Sequence, residues 1–297
     1  MASEAINILQ PLVVIMGPTA SGKTSAAISI AKRLGGEIIC ADSRTVYIGM
    51  DIGTAKPTTS ERNEVPHWGL DLINPNEQYS VAEFKTYTDK KITEIRGRGH
   101  VPLLVGGTGL YIDSVIFDYK FGQPVDETLR TKLQQMSLDE LYKYCQKNSI
   151  AIPENYKNKR YVIRAIENNG VINNKSTEPV YDAIVVGITT YKDNLMNRII
   201  SRLDKMISDG VINEAKNLGD DFGWEKDSMK SGIYGLAHQY LEGKITIDEL
   251  KNRCAILDWH LAKRQMTWMK RNKFTQWMPL SGVEKYITDQ LAMARQS

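Results

Sequence analysis

Between Gly17 and Thr24 the chain reads Gly-Pro-Thr-Ala-Ser-Gly-Lys-Thr, a spacing that suits the capture of phosphate. The glycines let the backbone of Gly17, Pro18, Thr19, Ala20, Ser21 and Gly22 curl around an anion. Lys23 supplies a point charge, and Thr24 offers its hydroxyl to a magnesium ion. A second candidate is Asp42, in the run Asp42-Ser43-Arg44. A carboxylate there could take a proton from a substrate. Asp-Ser also caps turns, so a purely structural role stays open.

The elements that must carry these residues are legible around them. Leu12 to Met16 is a short apolar run that reads as a buried parallel strand feeding the phosphate loop. Ser25 to Leu34 has helical periodicity, so a helix N-terminus would point its positive end at the same anion. Glu37 to Ala41 reads as a second strand with Asp42 just beyond it. Ligands of open α/β sheets sit beyond the carboxyl ends of strands, which is where Asp42 falls. The segment Thr45 to Pro57 suits a loop lying over that face. Ser80 to Ile95 reads as a helix with Val81, Phe84, Tyr87, Lys91 and Ile95 near one side, and Ser80 with Glu83 forms a capping box. The strand at Val101 to Val105 ends in Gly106-Gly107-Thr108 rather than in the acidic residue that helps hold magnesium in many loop NTPases. That counts against an ATPase and favours a pocket where a bulky group comes close to backbone.

From about Gln123 to Pro179 the strand signal disappears. Helices are expected over Asp126 to Met136, Ser137 to Lys147 and Asn158 to Asn168, the last stopping at Gly170. Ala183 to Thr190 restores a buried strand. One long helix is expected over Asn194 to Leu218, with Arg198 and Arg202 on one face, followed by helices over Gly232 to Leu241 and Ile247 to Arg271. The predicted fold class is α/β: a P-loop NTPase-like parallel sheet flanked by helices, with a small all-helical insertion. The core would be 1–122 and 181–297, and the insertion 123–180.

Bulk composition adds limits. The 297 residues carry a net charge of +3, so nucleic-acid binding is permitted but not announced. Cys40, Cys145 and Cys254 lie far apart, and His67, His100, His238 and His260 form no ligand cluster. No basic-then-apolar leader or membrane-length run stands out, so a reducing, cytoplasmic setting is expected. Nothing suggests a dedicated dimer helix, and a monomer is the default.

Taken together, GPTASGKT, ADSRTVYIGMDIGTAKP, VPH, LLVGGTGLY and AKRQMTW resemble the tRNA dimethylallyltransferases, also called tRNA isopentenyltransferases. The similarity runs from about Leu12 to Arg271. It implies transfer of a five-carbon prenyl group from dimethylallyl diphosphate to N6 of the adenine on the 3′ side of the tRNA anticodon, with release of diphosphate. By that resemblance Asp42 matches the general base, Thr19 and Ser21 the diphosphate loop, and Thr108 a threonine close to the reacting adenine. Lys23 would act on the leaving group, and Thr24 would ligate Mg2+. The implied tRNA contacts are Asp42, Ser43, Arg44, Thr45 and Thr108 near the adenine, Arg130, Arg160 and Arg164 in the insertion, and Lys263, Arg264 and Gln265 on the last long helix.

The chain departs from the family pattern at several tRNA-facing positions. Tyr161 and Trp259 stand where arginines are common, and Gly232-Ile233-Tyr234-Gly235 replaces a Gly-Tyr-Arg. Val171-Ile172-Asn173-Asn174 replaces a Gly-Lys-Pro/Thr turn. The alternatives are a transferase acting on free adenine nucleotides, a small-molecule P-loop kinase, and a catalytically idle tRNA-binding relative.

Overall fold

The structure is a computed structural model and describes residues 10–121, 126–170, 175–230 and 232–294. The Val171–Asn174 departure therefore lies outside the described residues. Along the chain, β1 (Leu12–Met16), α1 (Lys23–Leu34), β2 (Gly36–Ala41), α2 (Thr59–Glu64), β3 (His67–Trp68), α3 (Val81–Gly97), β4 (Val101–Gly106) and α4 (Gly109–Ile116) follow one another. Three helices come next, α5 (Glu127–Gln135), α6 (Leu138–Lys147) and α7 (Lys159–Glu167). The chain ends through β5 (Ala183–Thr189), α8 (Lys192–Ser208), α9 (Val211–Phe222), α10 (Gly232–Leu241), α11 (Ile247–Met269), β6 (Gln276–Pro279) and α12 (Leu280–Ala294). No helix among the described residues is long and apolar enough to cross a membrane.

Two compact units result: Met1–Ile116 with Pro179–Ser297, and Phe117–Glu178. The larger unit holds a sheet ordered β3-β2-β4-β1-β5-β6 with every pairing parallel. Strands β1, β2 and β4 are buried throughout, so apart from Glu37 of β2, which is held by Arg98, His100 and Trp68, they read as apolar runs rather than alternating ones. Val13 and Ile15 pack with Ala27 and Ile30 of α1 and with Val283 and Ile287 of α12. A second core gathers Ile199 and Leu203 of α8, Ala215 of α9, Tyr234 of α10 and Cys254 of α11 around Met50 of the loop after β2.

Several expectations need correction. The single helix expected over Asn194 to Leu218 is two helices, because Gly210 adopts φ 97° and caps α9. A left-handed residue cannot sit inside a helix, and the continuous amphipathic pattern on either side concealed it. The buried face of α3 is Phe84, Thr88, Ile92 and Ile95, whereas Lys91 packs its amine over the Trp68 ring at 4.2 Å. The two-residue β3 and four-residue β6 were too short to be read, whereas α12, with Val283, Ile287 and Leu291 four apart on its buried face, had a helical pattern that went unread.

The smaller unit is helical. Asp126, the Ser137–Glu140 capping box and Asn158 close the N-termini of its three helices. Leu133, Leu141, Cys145, Val162, Ile163 and Ile166 form its core. Glu167, with a side chain 3% exposed, accepts from Arg130 Nε at 2.7 Å and Nη2 at 2.9 Å, and from Arg164 Nη1 at 3.2 Å. Burial alone would raise the Glu167 carboxyl, but the two guanidiniums outweigh it and hold its pKa below the ordinary value. Its contribution to stability is therefore present above the carboxylate range and lost as pH falls below it. Glu167→Ala should lower stability by about 2 kcal/mol, allowing for the partial exposure of both arginines. Hydrogen exchange of the α7 amides checks this, and unchanged protection would contradict it.

Candidate functional site

The loop after β1 folds tightly on itself. Gly17 leaves no room for a side chain, since a Cβ would lie 2.8 Å from Ser21 Oγ. Gly22 takes φ 87° to open α1, and Ala20 takes φ 59° although it is not glycine. Such a conformation costs a non-glycine residue about 1 kcal/mol and persists only where surrounding contacts impose it. One of those contacts is Gln265 of α11, whose Oε1 accepts from the Thr19 N–H at 2.8 Å. A second is Arg198 of α8, which donates to Ser21 O at 3.2 Å.

Lys23 turns back over its loop and donates to Pro18 O at 3.2 Å. Burial pushes its pKa down to about 8, Asp42 offsets part of that fall, and the nearby Arg202 charge deepens it. Asp42 sits just past β2, and its Oδ1 accepts from the Arg44 N–H at 2.8 Å. The turn-capping role is thus real and occupies one carboxylate oxygen. The Thr108 hydroxyl accepts from the Ser43 N–H at 3.1 Å, which ties the end of β4 to the end of β2. Arg44 reaches across to Ser228 O at 2.6 Å.

Two cavities meet at this point. One, of about 260 Å³, is lined by Thr19 to Thr24 and by Ala27, Ile38, Cys40, Thr45 and His67. The Cys40 thiol, pushed up to about 12 by burial and then by Asp42, stays protonated and serves as apolar wall. The other, of about 330 Å³, is lined by Ser43, Arg44, Ile233, Tyr234, Leu257, Leu261, Arg264 and Gln265. Thr19, Asp42, Thr54 and Arg202 line both. The arrangement suits an anion in the first cavity and a group with both apolar and polar surface in the second, with the Asp42 carboxylate where the two meet.

Residues Gly17 to Thr24, Asp42, Ser43, Arg44, Thr45, Thr108, Arg264 and Gln265 are thus brought together. Lys263 is exposed on α11 with its amine 6.0 Å from the Trp259 ring. Arg130 and Arg164 hold Glu167 in the helical unit, and Arg160 is exposed there beside Tyr161. Gln265 differs from expectation in its contact, which is the phosphate loop itself. The glycines at the end of β4 and just beyond it also differ. Their close neighbours belong to the chain: a Cβ would meet Ala41 O at 2.0 Å from Gly106, Gln265 Nε2 at 2.4 Å from Gly107 and Trp268 at 2.2 Å from Gly109. Gly235 has a similar cause, since a Cβ there would lie 2.3 Å from Lys230 O. Arg202 and Thr54 were missed as site residues. The spacing of Arg198 and Arg202 put them on one helix face, but nothing local showed that this face looks onto the loop.

A family model described as IPP transferase matches residues 45–272, and another described as Isopentenyl transferase matches residues 10–68. The chain is 38% identical over 294 residues to the tRNA dimethylallyltransferase of Halalkalibacterium halodurans, with 93% of each chain covered. It is 37% identical over 295 residues to the tRNA dimethylallyltransferase of Pelotomaculum thermopropionicum, covering 94% of this chain and 93% of that one. The solved tRNA isopentenylpyrophosphate transferase of Bacillus halodurans matches with TM-score 0.73 and 35% identity, over 97% of this chain and 98% of the other. A eukaryotic dimethylallyltransferase solved acting on tRNA shares the fold, with TM-score 0.75 at 20% identity over 91% and 74% of the two chains.

The lowered Lys23 pKa gives the phosphate loop a pH signature. An anion prefers the protonated amine, which predominates below the free-loop pKa of about 8. Affinity for inorganic diphosphate should therefore fall as pH rises through that value, and Lys23→Arg, charged throughout, should remove this component of the fall. Calorimetric titration at several pH values measures it. Identical pH profiles for the two proteins would contradict the assignment.

Proposed function

Because the chain belongs to the IPP transferase family of prenyl-transferring enzymes, we propose that it moves a dimethylallyl group from dimethylallyl diphosphate to N6 of the adenine 3′-adjacent to the anticodon in tRNA. The observation that carries this reading is the meeting of the two cavities at Thr19, Asp42, Thr54 and Arg202. In it the donor's diphosphate occupies the loop cavity and the acceptor base enters the other. The allylic C1–O bond breaks, its electron pair leaves with diphosphate, and N6 forms the new bond to C1. An allylic carbon tolerates positive character, so stabilising the departing charge lowers the barrier most. The loop amides, Lys23 and Arg202 are the groups placed to do so.

Adenine N6 is a weak nucleophile because its lone pair is delocalised into the ring. The Asp42 oxygen not engaged by Arg44 takes the N6 proton as the bond forms. Thr108 acts through Ser43, keeping the turn that carries Asp42 in place. The Thr24 hydroxyl would hold Mg2+. Among the described residues no cluster of three or more His, Cys, Asp or Glu side chains could bind a metal. That donor set fits an ion ligated mainly by diphosphate oxygens and water, as Mg2+ commonly is. When bound, it would neutralise charge on the leaving group. A single-stranded anticodon loop lets its adenine be splayed out and inserted. Arg264 lies at the second cavity, while Lys263 and Arg160 offer exposed charge for the RNA backbone.

The test is incubation with dimethylallyl diphosphate and either unmodified tRNA or AMP, followed by mass analysis for N6-prenyl adenosine. Product on tRNA, its loss in Asp42→Asn, and retained diphosphate binding by that variant are expected. Product on AMP alone, or undiminished turnover by Asp42→Asn, would contradict the reading.

A further inference from the structure

The segment 51–54 forms wall in both cavities: Thr54 lines the two, and Gly53 lines the second. It is built of turns, with no strand or helix to fix it. Turn hydrogen bonds from the Ala55 N–H to Ile52 O and from the Lys56 N–H to Asp51 O close it locally, and one side chain from far along the chain gathers its free amides. Glu214 of α9 accepts from the N–H groups of Asp51 at 3.0 Å, Ile52 at 2.7 Å and Gly53 at 3.0 Å. The same carboxylate accepts from the Tyr234 hydroxyl at 2.7 Å. Three successive amides converging on one point form an anion nest, and here the anion is part of the protein.

Two further contacts make the arrangement specific. Tyr234 is 1% exposed, and a Cβ on Gly53 would lie 2.6 Å from its Cζ, so the hydroxyl end of the ring leaves no room for a side chain there. The fully buried Lys56 amine joins Asp51 Oδ1 and Asp71 Oδ1, each at 2.6 Å, and Tyr47 O at 2.8 Å. Asp51 is therefore held by its side chain to Lys56 and by its N–H to Glu214. Lys56 belongs to the same turn as Asp51, whereas Glu214 links that turn to the helical core around Tyr234.

We propose that Glu214 is a positioning residue for the transfer, setting the 51–54 backbone so that the wall shared by the two cavities aligns donor carbon and acceptor nitrogen. The inference rests on the prenyl-transfer reading. Glu214 touches neither substrate in this account and acts through the peptides of Asp51, Ile52 and Gly53. Reaction rate depends steeply on such alignment, whereas the diphosphate cavity is lined mainly by Thr19 to Thr24, with Thr54 alone contributed by this segment.

Glu214→Gln keeps the size of the side chain but turns one acceptor into a donor facing groups that already donate. Hydrogen exchange of the 51–53 amides should accelerate in this variant. At a temperature well below unfolding, kcat should fall about tenfold or more, with KM for dimethylallyl diphosphate changed less than about threefold. Tyr234→Phe, which removes a single donor and fills the same space, should lower kcat in the same sense but less. Faster exchange with unchanged kcat would reduce Glu214 to a structural tie and overturn the proposal, as would unaltered exchange. A wild-type protein silent on tRNA would instead overturn the functional reading, while the exchange measurement would still report whether Glu214 holds the segment.

Discussion

Everything at the site depends on the parallel register of three buried strands. Met16 of β1 pairs with Gly106 of β4, and Gly106 pairs with Ala41 of β2. The three strands therefore end at one level, and Gly17, Gly107 and Asp42 leave the sheet side by side. Gly106 permits this because Ala41 O occupies the place of its missing Cβ. A one-residue slip would exchange the side chains packed on the two faces of each strand, and the close-packed cores on both sides oppose that. The phosphate loop and the carboxylate are brought together by the sheet, without any direct bond between them.

Upon that frame the charges are arranged in tension. Lys23 and Arg202 share a small region, and Asp42 is the carboxylate that moderates it. Burial disfavours the Lys23 ammonium, while a bound diphosphate would restore it. The loop is thus more receptive to a highly charged anion than to a neutral ligand. Asp258 holds Arg202 from behind, and Gln265 holds Thr19, so α11 supports the loop from outside the sheet.

The family and the places of the phosphate loop and Asp42 at strand ends were legible in the sequence, and the contacts that support them were not. GPTASGKT and Asp42 follow short apolar strands, so local pattern located them. The order of motifs carried the family. What escaped were contacts spanning most of the chain, such as Gln265 with Thr19 and Glu214 with Gly53. A polar residue on a helix gives no local sign of the amide it will meet 246 positions away. The glycines at the end of β4 and just beyond it show the same limit. Their number signalled close approach, but whether a ligand or Trp268 makes it is settled only by packing. The break at Gly210 was hidden because amphipathic periodicity continues through it in both helices.

The central claim is that the loop receives a leaving group rather than a phosphoryl donor. It is tested most directly with dimethylallyl diphosphate carrying a heavy oxygen isotope at the bridging position between C1 and phosphorus. After turnover with tRNA, cleavage of the C1–O bond leaves the label in the released diphosphate, which is the predicted result. Label retained in a prenyl alcohol would mean that the oxygen–phosphorus bond had broken, and would contradict the account.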